Sequence, residues 1–165
     1  MLKVLLIRPG TTEFDLQGRI MGNLDVPLCE QGDDEVTKMI QTMNGQIVDA
    51  VFSSPSESAI QTADRICEKW PVKSKALDQL TNLNHGLWQG MLVDEVKRKQ
   101  PKVFRQWQEH PETVCPPEGE MLEVARKRIE SVISRLLKKH TDSTVALVAP
   151  EPLASIIVSV LRHTE

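Results

Sequence analysis

Three charged residues, Arg8, Asp15 and Glu151, could take part in chemistry on an anion. Arg8 follows the apolar run Met-Leu-Lys-Val-Leu-Leu-Ile, and a guanidinium group binds phosphate or carboxylate oxygens through two parallel hydrogen bonds. Asp15 and Glu151 carry carboxylates, which can act as general bases. Because open α/β sheets bind ligands beyond the carboxyl ends of their strands, Arg8 could orient a substrate there while a carboxylate accepts a proton.

Five sequence motifs follow one another along most of the chain. They are Arg8-Pro9-Gly10-Thr11-Thr12 with Gly18-Arg19, Gly22, Asp25, Pro27-Leu28 and Gly32; Ser53-Ser54-Pro55 with Gln61-Thr62-Ala63; Leu80 to Gly90; Pro116-Pro117-Glu118-Gly119-Glu120; and Val145 to Ala149. Their order and intervals resemble the histidine phosphatase superfamily, which has the phosphoglycerate-mutase-like fold. Five motifs in register make a chance match very improbable.

The resemblance implies phosphoryl transfer to a histidine and then to water or back to substrate. That reaction needs a nucleophile, cationic donors around the phosphoryl oxygens and an acid for the leaving oxygen. At the matching positions this chain has other residues: Pro9 and Pro150 for the two histidines, Ser58 for a pocket arginine and Asn82 for the general-acid glutamate. Proline has no lone pair and no N–H to offer. The chain is therefore identified as a degenerate member without catalytic residues.

The anion pocket that the resemblance implies is also expected to change its charge. Asp15 falls on the family's pocket asparagine, and Glu151 replaces a glycine that follows the second histidine. One cation, Arg8, then faces two carboxylates, and each charge pair is worth roughly 1 to 4 kcal/mol. The residues predicted to contact a ligand are Arg8, Gly10, Asp15, Ser58, Asn82 and Glu151.

These substitutions lead to the prediction that the protein is not an enzyme. Removing one member of a catalytic unit can lower turnover about a million-fold, and further losses add little because the members act together. We therefore expect a pseudoenzyme that serves as a binding or regulatory module. Its partner would be a protein or a small metabolite.

Two alternatives remain open at this point. One is a phosphatase or phosphoglycerate-mutase-like hydrolase with weak or altered activity, in which Glu151 or Asp15 is the base. The other is a structural role in which an open sheet edge supports a homodimer. Measurements of catalytic activity and of oligomeric state would distinguish the pseudoenzyme, the hydrolase and the structural protein.

Composition favours an ordinary water-soluble domain. The chain has 165 residues, 40% hydrophobic and 26% charged, and we expect one domain over residues 1–165. A net charge of −3 predicts neither nucleic acid nor an anionic membrane as a partner. The chain has no apolar run of membrane-spanning length and does not start like a signal peptide, so a cytoplasmic location is expected.

No metal or cofactor is expected. Cys29, Cys67 and Cys115 form no Cys-x-x-Cys pair and are predicted to be reduced thiols. The histidines lack metal-ligand spacing; they are His85, His110, His140 and His163. We interpret His85 as an ordinary loop residue.

The predicted elements alternate between strand and helix, which favours an α/β fold. Apolar runs predict strands at 2–8, 49–53 and 143–149, and helical periodicity predicts helices at about 30–44, 55–69, 92–109 with a break at Pro101, 120–140 and 151–162. The expected architecture is a three-layer α/β/α sandwich with a mostly parallel central sheet, phosphoglycerate-mutase-like and shortened at the C-terminus.

Overall fold

The computed structural model describes residues 1–163 and is built on a parallel sheet of four strands. The strands are β1 (Lys3–Ile7), β2 (Ala50–Ser53), β3 (Ser74–Ala76) and β4 (Thr144–Val148), in the spatial order β1-β4-β2-β3. Val145 of β4 lies in register with Val4 of β1 on one side and with Ala50 of β2 on the other. The predicted α/β fold with a parallel central sheet is confirmed.

Helices cover both faces of this sheet. Within residues 1–163 they are α1 (Glu13–Gln17), α2 (Glu30–Thr42), α3 (Glu57–Lys69), α4 (Val93–Lys99), α5 (Pro101–Glu109), α6 (Leu122–Lys139) and α7 (Leu153–Arg162), with 3₁₀ turns at Asp78–Leu80 and Gly86–Trp88. The inner strands of a parallel sheet are buried on both faces, so they are near-continuous apolar runs rather than alternating ones. Strand β4 follows this rule, since four of its five residues are buried.

Alternate side chains of β4 point into two separate cores. Val145 and Leu147 pack with α6 and α7, whereas Ala146 and Val148 pack with α3 and with Ile7 of β1. The two faces of one strand therefore join two helical layers, which is the three-layer arrangement that the sequence predicts.

A third core lies beside the sheet and joins α4 to α5. Trp88 is fully buried there and packs with Val96, Phe104 and Ile20. Pro101 is the first residue of α5, where its fixed φ suits a helix start and its missing N–H has no intrahelical partner to lose. The predicted break at Pro101 is confirmed.

Candidate functional site

The candidate site is a cleft of about 270 Å³ at the carboxyl ends of β1 and β4. These strands are neighbours in the sheet, so the residues that follow them meet although they are far apart in sequence. The cleft is lined by Arg8, Pro9, Gly10, Thr11, Thr12, Asp15, Met21, Ser58, Asn82, Pro150 and Glu151. The structure thus brings together every residue that the sequence analysis placed at the site.

Arg8 and Glu151 form an ion pair across this cleft. Nη2 of Arg8 lies 2.7 Å from Oε1 of Glu151, and the two side chains are 72% and 37% exposed. Exposed ion pairs contribute about 0 to 1 kcal/mol, because water screens them and both side chains lose freedom. A ligand anion could therefore displace Glu151 from Arg8 at little cost in stability.

The second oxygen of Glu151 caps the last helix. Oε2 accepts hydrogen bonds from the backbone N–H of Ser155 at 3.2 Å and from its hydroxyl at 2.7 Å. Pro152 is the N-cap residue of α7, so this carboxylate lies at the positive end of the helix dipole. The helix that the sequence predicts over 151–162 is present as α7, and Glu151 lies just before its first turn.

Asn82 holds three segments of the cleft together. Its Nδ2 donates to the carbonyls of Gly22 at 2.9 Å and Glu151 at 3.0 Å, and its Oδ1 accepts from the N–H of Leu153 at 3.3 Å. Both N–H donors and the carbonyl oxygen of this buried amide therefore already have protein partners. Asn82 acts on the geometry of the cleft through these bonds.

The carboxylate of Asp15 is also committed to a local structure. Its Oδ2 accepts from the backbone N–H of Thr12 at 2.8 Å and from the Thr12 hydroxyl at 2.9 Å. The Thr12 hydroxyl in turn accepts from the N–H of Asp15, which completes a capping box at the start of α1. Of the two predicted bases, Glu151 is the one that is paired with Arg8.

The backbone amides after Arg8 have internal acceptors as well. The N–H of Gly10 donates to Oγ1 of Thr62 at 3.3 Å, and the N–H of Thr11 donates to Oε2 of Glu35 at 3.1 Å. Hydrogen bonds from Gln31 and then Thr11 hold the pKa of Glu35 below its usual value. The protein's own side chains thus occupy donors that an anion would otherwise use.

Ser58 is the remaining predicted site residue. It is buried at the start of α3 and lines the cleft, and its backbone carbonyl accepts from the Thr62 hydroxyl at 2.8 Å. Among the lining residues of the described chain, Arg8 is the one cation, and Asp15 and Glu151 carry the two carboxylates.

Residues 1–163 offer little for a metal site or a membrane span. No cluster of three or more His, Cys, Asp or Glu side chains there could hold a metal ion. None of the helices in this range combines the length and apolar character needed to cross a membrane. Cys29, Cys67 and Cys115 are free thiols, and burial raises the pKa of Cys67.

Comparison with known proteins gives the family. The sequence matches the model of the histidine phosphatase superfamily (branch 1) over residues 4–164. It is 33% identical over 149 residues to phosphoserine phosphatase 1 of Hydrogenobacter thermophilus, and the match covers 90% of this chain and 71% of that protein. The chain belongs to the histidine phosphatase superfamily.

Two further comparisons describe proteins that this chain resembles in sequence or in fold. The adenosylcobalamin/alpha-ribazole phosphatase of Salmonella typhimurium is 23% identical over 158 residues, which cover 96% of this chain and 78% of that protein. The solved structure of Bacillus stearothermophilus YhfR superposes with a TM-score of 0.91 at 21% identity, covering 100% of this chain and 82% of that chain. The fold is therefore phosphoglycerate-mutase-like, as the resemblance implied.

The prediction that this histidine phosphatase superfamily member is not an enzyme is wrong. The relatives at 33% and 23% identity are named phosphatases, which points to enzymatic activity. The prediction considered one reaction route, through a histidine at position 9 or 150. The alternative left open by the sequence, a hydrolase in which Arg8 orients the substrate and Glu151 or Asp15 is the base, agrees better with these relatives.

The sequence analysis missed several residues that shape the cleft. Ser155 lies four residues after Glu151 and donates to its carboxylate. A hydroxyl residue in the first helical turn after a carboxylate could have indicated this hydrogen bond from sequence. Thr62 and Glu35 contact the segment after Arg8 from 52 and 24 residues away, and no local pattern indicates either contact.

Proposed function

We propose that this protein is a hydrolase of phosphate esters that works with weak or altered activity in the cleft between Arg8 and Glu151. The observation that carries the proposal is the exposed Arg8–Glu151 pair at the strand ends of a fold whose relatives are named phosphatases. Arg8 provides the cation for a phosphoryl oxygen, and Glu151 provides a base beside it.

In the proposed reaction, water rather than a side chain attacks phosphorus. The degenerate positions Pro9 and Pro150 supply no side-chain nucleophile, so no phosphorylated protein is formed. Glu151 accepts the proton of the attacking water, the new P–O bond forms as the ester P–O bond breaks, and the leaving alkoxide takes a proton from solvent. The products are inorganic phosphate and an alcohol.

Weak turnover follows from the groups that are missing. Asn82 has no proton to give to the leaving oxygen, and Ser58 brings no second positive charge to the phosphoryl group. Because these groups normally act as a unit, losing them can cost on the order of a million-fold in rate. Substrates with good leaving groups, which need no acid, should be hydrolysed best.

Altered substrate preference follows from the charge of the cleft. Each carboxylate near a bound phosphate opposes it by roughly 1 to 4 kcal/mol, depending on the local dielectric. A dianionic monoester meets about twice the repulsion of a singly charged diester. We therefore expect activated diesters to compete well with monoesters in this cleft.

The test is hydrolysis of para-nitrophenyl phosphate, bis-para-nitrophenyl phosphate and phosphoserine by the purified protein, against a boiled control. Phosphoserine is included because the Hydrogenobacter relative is named for it. The expected result is release above the control that Arg8→Ala abolishes. The matched control is Arg105→Ala, because Arg105 is likewise an exposed arginine in an ion pair, with Glu109 at 2.9 Å.

The proposal is overturned by either of two results. One is the same release from the intact and the boiled protein for every ester. The other is release that Arg8→Ala leaves unchanged, which would assign the activity to another site or to a contaminating phosphatase.

A further inference from the structure

Strand β1 has an open outer edge. It is the last strand on one side of the sheet, and within residues 1–163 no strand pairs with that edge. A groove of about 1030 Å³ runs along it, between α2 on one face of the sheet and α7 on the other. At the carboxyl end of β1 the groove reaches the cleft, where both are lined by Arg8 and Glu151. An open edge of this kind is a template for pairing with another strand.

The walls of this groove are apolar over most of its length. Helix α2 contributes Val36 and Met39, and α7 contributes Ala154 and Val158. Three of the five residues of β1 are only half-buried, whereas four of the five residues of the inner strand β4 are buried. A strand bound in the groove would remove this apolar surface from water, which is the main driving force for association.

The hydrogen bonds of β1 show which of its backbone groups face the groove. The N–H of Lys3 and the carbonyl of Ile7 both bind the segment that contains β4, at 2.9 Å each, so these two residues direct their backbone groups inward. The N–H and C=O groups of successive strand residues point to opposite sides. Val4 and Leu6 therefore direct theirs to the open edge, where a new strand would bind them.

A second copy of β1 fits this edge in an antiparallel register centred on Leu5. A twofold axis normal to the sheet at Leu5 pairs Val4 of one copy with Leu6 of the other. Each such pair exchanges both of its N–H···O bonds, and Leu5 meets its own symmetry mate on the axis, where opposed side chains come closest. The edge is thus self-complementary, as an interface between twofold-related subunits has to be.

Charges at the two ends of the groove favour the same arrangement. Lys3 lies on the α2 face of the sheet at one end, where its Nζ donates to Gln46. Glu35 of α2 lies on that face at the other end, and the Arg8 side chain there is paired with Glu151. Because the register is antiparallel and the axis is normal to the sheet, Lys3 of each copy comes to the end that holds Glu35 of the other.

The opposite edge of the sheet offers no comparable surface. Strand β3 has only three residues, Ser74–Ala76, and its central residue Lys75 is exposed. Short edge strands and exposed lysines are the usual means by which proteins prevent edge-to-edge pairing. In β1 the one charged residue, Lys3, is at the end of the strand and leaves the apolar remainder free to pair.

We infer that β1 pairs with β1 of a second copy of this chain, so that the protein forms a twofold dimer in which the two sheets join into one. The inference goes beyond the proposed hydrolysis and does not depend on it. It uses the outward backbone groups of Val4 and Leu6 and the Lys3–Glu35 charges, which the hydrolytic reaction leaves without a role.

The first test is sedimentation equilibrium of the purified protein between about 1 and 300 µM, a range suited to affinities of this order. The expected result is a dimer that dissociates on dilution. Lys3→Glu should weaken dimerisation about tenfold, because each of the two symmetric charge pairs becomes repulsive. Combining Lys3→Glu with Glu35→Lys should restore it. The matched control is Lys75→Glu, which changes an exposed lysine on the other edge strand and should leave the dimer unchanged.

Amide hydrogen exchange shows whether a second copy is what occupies the edge. The N–H groups of Val4 and Leu6 should exchange more slowly at high protein concentration than at low concentration. A monomer throughout the range overturns the inference, and so does a dimer that Lys3→Glu and Lys75→Glu weaken equally. Protection of Val4 and Leu6 that does not change with concentration would show that another segment covers the edge, which would also overturn it.

Discussion

At the scale of single residues, the carboxylate of Glu151 binds two partners, Arg8 and Ser155. One oxygen lies 2.7 Å from Arg8, and the other accepts two hydrogen bonds from Ser155. The same group therefore competes with an anion for Arg8 and is held by the start of α7 in a fixed position, which is what a general base requires.

Glu151→Gln should separate these two effects. Removing the charge relieves repulsion of roughly 1 kcal/mol or more, so KM for para-nitrophenyl phosphate should fall several-fold. Removing the base should lower kcat by about 100-fold. Steady-state kinetics measure both. A rise in kcat would show instead that Glu151 only blocks the cleft, and Glu109→Gln, in the distant pair with Arg105, is the control.

Asn82 should matter for stability as well as for the cleft. Asn82→Ala leaves the carbonyls of Gly22 and Glu151 and the N–H of Leu153 without their partner, at about 1 kcal/mol each. We expect the free energy of unfolding to fall by about 2 to 3 kcal/mol in urea titrations. The exposed Asn44→Ala should stay within about 0.5 kcal/mol of wild type. An equal effect of the two substitutions would contradict the role of Asn82.

Because His85 is buried, we expect the free energy of unfolding to depend on pH. Because the folded-state pKa is lowered by burial, the unfolded chain binds the proton more readily. The stabilising contribution of the neutral ring is fully present above the unfolded pKa of about 6.5, and it is lost as pH falls through the folded value. His85→Phe should remove this part of the pH dependence, as measured by urea titrations at pH 5 to 8. An unchanged pH profile would contradict it.

At the scale of the elements, α1 has only five residues and is held by its capping box rather than by an apolar face. Thr12 is 1% exposed and exchanges hydrogen bonds with Asp15 at both the side chain and the backbone. An N-cap hydroxyl is worth about 1 kcal/mol. Thr12→Ala should lower the free energy of unfolding by that amount or more, and Thr12→Ser should recover most of it. Equal stability of the two variants would show that the hydroxyl does not cap α1.

Some of these strands and helices could be predicted from the sequence, and others could not. Strands β1, β2 and β4 were predicted because a strand buried on both faces is a continuous apolar run. Strand β3 was missed because Ser74–Ala76 has only three residues, two of them polar, and its pairing with β2 is what makes it a strand. Helix α1 was missed because its five residues are too few to show helical periodicity.

At the scale of the whole molecule, the position of the cleft was predictable and its hydrogen bonding was not. The motifs placed Arg8 and Glu151 at strand ends, and adjacent parallel strands bring those ends together. The hydrogen bonds from Gly10 to Thr62 and from Thr11 to Glu35 depend on how α2 and α3 pack against β1. No pattern in the local sequence predicts that packing. The prediction of an inactive protein was wrong because it rested on residue types at a few positions, whereas the similarity of most of the chain is to named phosphatases.

Thermal unfolding of the purified protein in a titration of vanadate tests the central claim most directly, because an anion that binds only the folded state raises the melting temperature. The account predicts a saturable rise for the wild type and for Arg105→Ala, and its loss in Arg8→Ala. No rise in the wild type, or the same rise after Arg8→Ala, would show that the cleft does not bind phosphate-like anions through Arg8.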